Sequence, residues 1–334
     1  MAETGELLRA MDDRVRRRNE RRDFFKTALG AGALVAGGAT ALGMSTAAVA
    51  QAAPTDEDIL NLALNLEYLE AQFYSFAVNG TGLPEALLGG TVGTRGQATG
   101  GRKANLTDPA VIQYAREIAA DEFAHVAALR AVLGGAAIAQ PAIDISPAVF
   151  TAAAVAAGLD LSATGGVFDP YANNDTFLFG AYIFEDVGVT AYKGASPLIA
   201  RVDIVDAAAG ILAAEAFHAG IIRGALYRRG VDVAAIRTAT DRISDARDTL
   251  DGTATSAGPP MRVADDDQGV SPTTVNGQIV SNFVPTDANG MVFSRTSEQV
   301  HNIVYLTRNQ ATAGGFFPAG TNNNNAALRR SGAN

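Results

Sequence analysis

Residues 211–220 read ILAAEAFHAG, a run of small and apolar side chains interrupted by one glutamate and, three residues later, one histidine. A carboxylate taken into an apolar interior without a partner is strongly destabilised or shifts its pKa until it is neutral. Residues three apart on a helix project in similar directions, so Glu215 and His218 predict a common ligand. The spacing recurs. DEFAHVAALRAVL places Glu122, His125, Arg130 and Leu133 just as AEAFHAGIIRGAL places Glu215, His218, Arg223 and Leu226. The chain holds 3 histidines, and both of those in these segments follow a glutamate by three positions, which reads as duplication rather than accident. The third, His301, has no such glutamate and is expected to be structural.

A second pair of segments matches in the same way. LEYLEAQFY carries Glu67 and Tyr74, FEDVGVTAY carries Glu185 and Tyr192, and seven residues at about 3.6 per turn return to nearly the same face. Helix one also offers Glu70, one turn from Glu67, but Gly188 stands at its place in the other half, so Glu67 is the expected ligand and Glu70 the reserve.

Helical periodicity and caps place helices over 55–78, 107–133, 175–194 and 198–229, the last ending at Gly230. A fifth, more polar helix is expected up to residue 252, and a short one near 147–158 between prolines. The Gly- and Thr-rich stretch 79–105 reads as a long connection. The expected fold class is all-α, a four-helix bundle over 53–252 with an additional helix. Residues 253–334 form an irregular C-terminal extension that wraps it, carries one short helix in TSEQVHNIVYLT and frays after about residue 320.

Composition narrows the chemistry. With 334 residues, 48% hydrophobic and 18% charged, the chain can bury one sizeable core. Cysteine is absent, so any metal must take oxygen and nitrogen ligands. The net charge of −9 argues against nucleic acid as a partner. Residues 1–52 have an arginine-rich start, a Gly/Ala-rich apolar run and small residues before Ala52, an export signal expected to be removed, leaving no stable membrane insertion. Within it, RRDFFK, with Arg21 and Arg22, resembles the twin-arginine signal of bacteria, which implies export to the periplasm or cell envelope, or secretion.

Two Glu-x-x-His segments and one glutamate from each remaining helix supply four carboxylates and two imidazoles: Glu67, Glu122, His125, Glu185, Glu215 and His218. Four ionised glutamates gathered in a core repel one another, and two divalent cations would neutralise them charge for charge. This pattern is the di-iron or di-manganese carboxylate site of helical bundles. Over residues 55 to about 230 the chain resembles the ferritin-like superfamily, and LNLEYLEAQFY, ILAAEAFHAG and DANGMVFSRTSEQVHNIVY resemble its desiccation-related proteins. The resemblance implies two metal ions, iron or manganese, bridged by Glu122 and Glu215, with Glu67 and Glu185 terminal and each histidine on a different metal.

Behind these ligands, Tyr74 and Tyr192 either pack or donate hydrogen bonds to them. Arg130 and Arg223 either pair with acids of the core or the partner helix or lie solvated. Glu117, Asp121 and Asp186 read as salt-bridge or surface acids. The expected function is a di-metal oxidoreductase, catalase-like or ferroxidase-like, whose small-molecule partner is oxygen or peroxide. The competing expectation is a protective protein of the cell envelope in which metal only clamps the bundle; a homo-oligomer is left open by both.

Overall fold

A computed structural model describes residues 53–252, 267–287 and 289–334. The expected export segment lies outside them. The helices are α1 Asp56–Asn79, α2 Pro109–Leu133, α3 Pro147–Ala156, α4 Asn174–Ala195, α5 Val202–Asp232, α6 Ala234–Asp251 and α7 Ser297–Val304. Among the described residues the strands are only two or three residues long, so the fold is all-α, as expected.

Helix α1 packs most extensively on α2, and α4 on α5, giving two hairpins. At the start of α5, the backbone N–H groups of Ala200 and Arg201 donate to Asp56 at the start of α1, at 2.7 and 2.9 Å. Near the end of α5, Arg229 pairs with Asp108, 2.9 Å away at the start of α2, and with Asp175 at the start of α4. Thus α1 runs parallel to α5 and α2 parallel to α4, the arrangement that brings duplicated hairpins together about a two-fold. Local signals match the ends: Asp108 caps α2 from a position before Pro109, and Asn173 and Thr176 form a capping box for α4.

Helices α1 and α4 are buried on every side from Ile59 to Tyr74 and from Phe177 to Tyr192. Helices α2 and α5 bury a single stripe that includes Glu122 and Val126 on one and Glu215, His218 and Ile222 on the other. The bundle's α1/α4 side is therefore covered by other parts of the chain. Helix α5 is long and apolar enough to cross a membrane by composition alone, yet its interior stripe also holds Arg223.

Three expectations need correction. Stretch 79–105 is more than a connection: Val92 pairs with Ile138, and β1 Ala98–Thr99 lies parallel to β2 Ile143–Asp144. Its glycines permit the approach, since a Cβ at Gly90 or Gly96 would run into the backbone of Ala139 or Ala142. Helix α5 continues through Gly230 to Asp232, because that glycine lets the side chain of Arg237 from α6 lie against it. The extension does not fray after residue 320: Thr321, Asn322, Asn323 and Ser331 are buried. Asn322 exchanges two 2.8 Å hydrogen bonds with Asn65 and donates to Ala139 O at 2.9 Å, while Asn323 donates to Asp58 O at 2.7 Å. The backbone N–H of Asn322 thereby satisfies the buried side-chain oxygen of Asn65 on apolar α1.

A chain of buried ion pairs joins the extension to the bundle. Arg223 of α5 and Arg247 of α6 hold Asp186 at 2.8 and 3.0 Å. Arg247 also meets Asp267 at 3.1 Å, and Arg295 links Asp267 at 2.6 Å to Asp251 at 2.7 Å. Burial opposes the charge of each arginine, and the facing aspartates overcome it.

Candidate metal centre

The six residues expected to be ligands meet at the middle of the bundle. Ligand atoms of Glu67, Glu122, His125 and Glu215 lie within 4.8 Å of one another, as do those of Glu122, Glu185 and His218. Glu122 belongs to both groups. The four glutamates are fully buried and His218 nearly so, whereas the side chain of His125 keeps 12% of its surface exposed.

The hydrogen bonds leave a set of atoms aimed inward. Tyr192 donates to Glu67 Oε1 and Tyr74 to Glu185 Oε1, so each tyrosine steadies a glutamate from the opposite half. His218 Nε2 lies 3.0 Å from Asp121 Oδ2, where an N–H donated to the carboxylate leaves the Nδ1 lone pair facing the interior. His218 Nδ1 is 3.1 Å from Glu122 Oε1 and 3.6 Å from Glu185 Oε2. His125 Nδ1 is 3.2 Å from Glu67 Oε2 and 3.7 Å from both Glu122 Oε2 and Glu215 Oε1.

These contacts are close but not aligned as hydrogen bonds. Glu67 Oε2, Glu185 Oε2, both oxygens of Glu122, both of Glu215 and the two Nδ1 atoms are buried without a hydrogen-bond partner. Native interiors rarely orphan polar atoms, and eight around one point fit ligands that share cations. Glu67 and Glu185 each leave one oxygen unpartnered, while Glu122 and Glu215 each leave two.

Without a cation the cluster holds protons instead. Burial raises Glu67 to about 7, with Glu122 adding to the shift, and raises Glu215 well above the carboxylate range, where Glu70, Glu122 and Glu185 reinforce it. Glu122 moves the other way, to about 2, because its pairing with His125 and His218 outweighs the desolvation that would raise it. Burial disfavours both imidazolium ions, but the surrounding glutamates raise His125 to about 10 and His218 to about 11. Imidazolium and neutral carboxyls thus stand in for positive charge that the site otherwise lacks.

Some supporting residues differ from expectation. Neither arginine touches a ligand: Arg130 donates to Tyr68 OH at 2.6 Å, and Arg223 serves the ion-pair chain. The repeat predicts their position, but their neighbours differ between halves. Asp186 takes the salt-bridge alternative of its expectation, as a buried ion-pair acid. Asp121, read as a salt-bridge or surface acid, is both: its side chain is half-exposed and its carboxylate orients His218 from the position immediately before Glu122. Glu70 is buried beside the ligands without being among them, and Glu117 is exposed. His301 is structural: its Nδ1 donates to Ser297 O at 2.7 Å, its Nε2 faces Thr321 Oγ1 at 2.9 Å, and burial lowers it to about 4.

The family model described as ferritin-like domain matches residues 55–228, the span that holds all six converging residues. The chain belongs to the ferritin-like family. This ferritin-like protein is 33% identical over 256 residues to a desiccation-related protein of Craterostigma plantagineum, covering 73% of this chain and 76% of the relative. It is 29% identical over 279 residues to a ferritin-like catalase of Nesocodon mauritianus, covering 80% of this chain and 83% of the relative. No solved structure matches it.

Proposed function

We propose that the centre binds two divalent cations, iron or manganese, and that the protein is an exported oxidoreductase acting on oxygen or peroxide. The observation that carries this reading is the set of orphaned, buried carboxylate and imidazole atoms, whose donor chemistry suits these metals. The name of the relative from Nesocodon, a ferritin-like catalase, supports redox chemistry. Glu67, Glu122, Glu185 and Glu215 would hold the ions through their carboxylates, with Glu122 common to both groups of ligand atoms. His125 and His218 would each serve one ion. Bound there, such a pair supplies an open coordination position and electron exchange between two metals.

The protein's own groups fix the ligands before any substrate arrives. Tyr74, Tyr192 and Asp121 orient three of them, and burial excludes water from the carboxylates. Export by the twin-arginine route, which carries folded proteins, suits a centre enclosed by a wrapped extension. The test is metal analysis of purified mature protein, followed by challenge with hydrogen peroxide and with ferrous ion under oxygen. Two ions per chain with turnover supports the reading. Bound metal without turnover replaces it with a structural clamp, and absence of metal overturns both.

A further inference from the structure

Two small cavities lie in series on the α1/α4 side of the bundle, away from the Asp121 and His125 side. The outer one, about 30 Å³, sits among α3, α6 and α7 and is reached from exposed Ala156; Ile243 and Leu250 form part of its wall. The inner one, about 10 Å³, is bounded by Leu69, Val187, Gly188 and, from the extension, Val304 and Phe316. Ile183 and Ile303 line both cavities and are the partition between them.

The inner cavity reaches the neighbourhood of the metal centre at Gly188 and Glu70. The place a Cβ on Gly188 would take is filled by Glu215 Oε2, so only a glycine lets the ligand lie directly against this wall. The one charged side chain lining this inner cavity is Glu70, which is 4% exposed and accepts no hydrogen bond among those described. An apolar space of roughly one water volume stays dry and takes small apolar guests, because water there would lack its 2–4 polar partners. Peroxide would shed most of its hydrogen bonds in crossing these spaces, whose charged lining is limited to Arg247 in the outer and Glu70 in the inner one, whereas dioxygen has none to lose.

We propose that these cavities are a dioxygen route to the metal centre, with Ile183 and Ile303 as its gate and Gly188, against which the Glu215 carboxylate lies, as its inner end. The inference rests on the oxygen or peroxide chemistry proposed above. It assigns the C-terminal extension a purpose, since Ile303, Val304 and Phe316 complete a passage that the bundle alone would leave open to water.

Crystals of the full chain pressurised with xenon test the cavities without any reaction. Xenon is expected against Ile243 and Leu250 and against Val187 and Phe316, and its absence from both positions overturns the proposal. The gate is tested by rapid-mixing oxidation of the reduced, metal-loaded protein, separately with dioxygen and with peroxide. Ile183→Phe is expected to slow the dioxygen arm at least about tenfold and leave the peroxide arm and metal content unchanged, whereas Ile183→Ala preserves both arms. Equal slowing of the two arms, or no slowing of either, refutes the gate. If the wild-type centre reacts with neither oxidant, the proposed function fails while the xenon maps still decide whether the cavities accept an apolar guest.

Discussion

Replacing Gly188 by alanine should separate metal binding from folding. The added methyl would lie 3.1 Å from Glu215 Cδ and 3.3 Å from Glu70 Oε1, and would overlap Glu215 Oε2 outright. Both neighbours are ends of flexible side chains, so the backbone of α4 need not move; the Glu215 carboxylate must retreat by about 1 Å. Ligand positions tolerate only about 0.5 Å before a site loosens. Overpacking costs about 1–3 kcal/mol, and replacing a mid-helix glycine by alanine recovers about 1 kcal/mol, so the net destabilisation is about 0–2 kcal/mol. The expected result is a metal-free melting curve close to wild type together with loss of at least one ion per chain in mass-spectrometric metal analysis. Full occupancy would show that Glu215 is not a ligand; collapse of the fold would show that the pocket cannot yield as its geometry implies.

The metal-free protein should lose stability as pH rises. Glu67, raised from 4.5 to about 7, stabilises the fold fully below 4.5 and loses that contribution through about 7, a loss of roughly 3 kcal/mol. His125, raised from 6.5 to about 10, continues the loss to about 10, while Glu122 opposes it only in acid, near 2. Thermal midpoints from pH 5 to 9 should therefore fall without metal and change far less with it; a metal-free midpoint that rises across this range contradicts the proton assignment. Tyr192→Phe and Tyr74→Phe each remove the hydrogen bond to one ligand glutamate and should weaken metal binding about 10–100-fold by competitive chelator titration, with helicity unchanged. Arg295→Ala strips Asp251 and Asp267 of a buried cation and should cost about 3–5 kcal/mol in denaturant melts, without altering the ligand set. Glu122→Ala should abolish binding of both ions and His301→Ala of neither, as read by metal analysis.

What the sequence made legible was periodic. A repeated Glu-x-x-His and a repeated Glu to Tyr spacing select four helices, and a helix converts spacing into a shared face before any tertiary contact exists. The six residues that converge were all readable on that basis. The extension was not, because its amides act across distances that no periodicity records: Asn322 meets Asn65 at a separation of 257 residues. Asn-rich composition is common to frayed ends and to segments that satisfy buried amides, and only the partner tells them apart. Arg130 and Arg223 show the same limit, since duplication repeats a residue's position on its helix but not the surface that packs on it.

That limit bears on the centre itself. Its ligands are duplicated, but their support is not. Asp121 accepts from His218 Nε2, whereas Ala214 stands at the matching place before Glu215 and can accept nothing from His125. A histidine oriented by a carboxylate is the stronger and more rigid ligand. His125 is also the more exposed of the two, at 12% against 3% for the His218 side chain. The half of the pocket beside His125 is therefore the less supported and more exposed one at its imidazole, while the cavities on the opposite side of the bundle are largely apolar. A duplicated ligand set between unlike walls thus gives the proposed centre a polar approach on one side and an apolar one on the other.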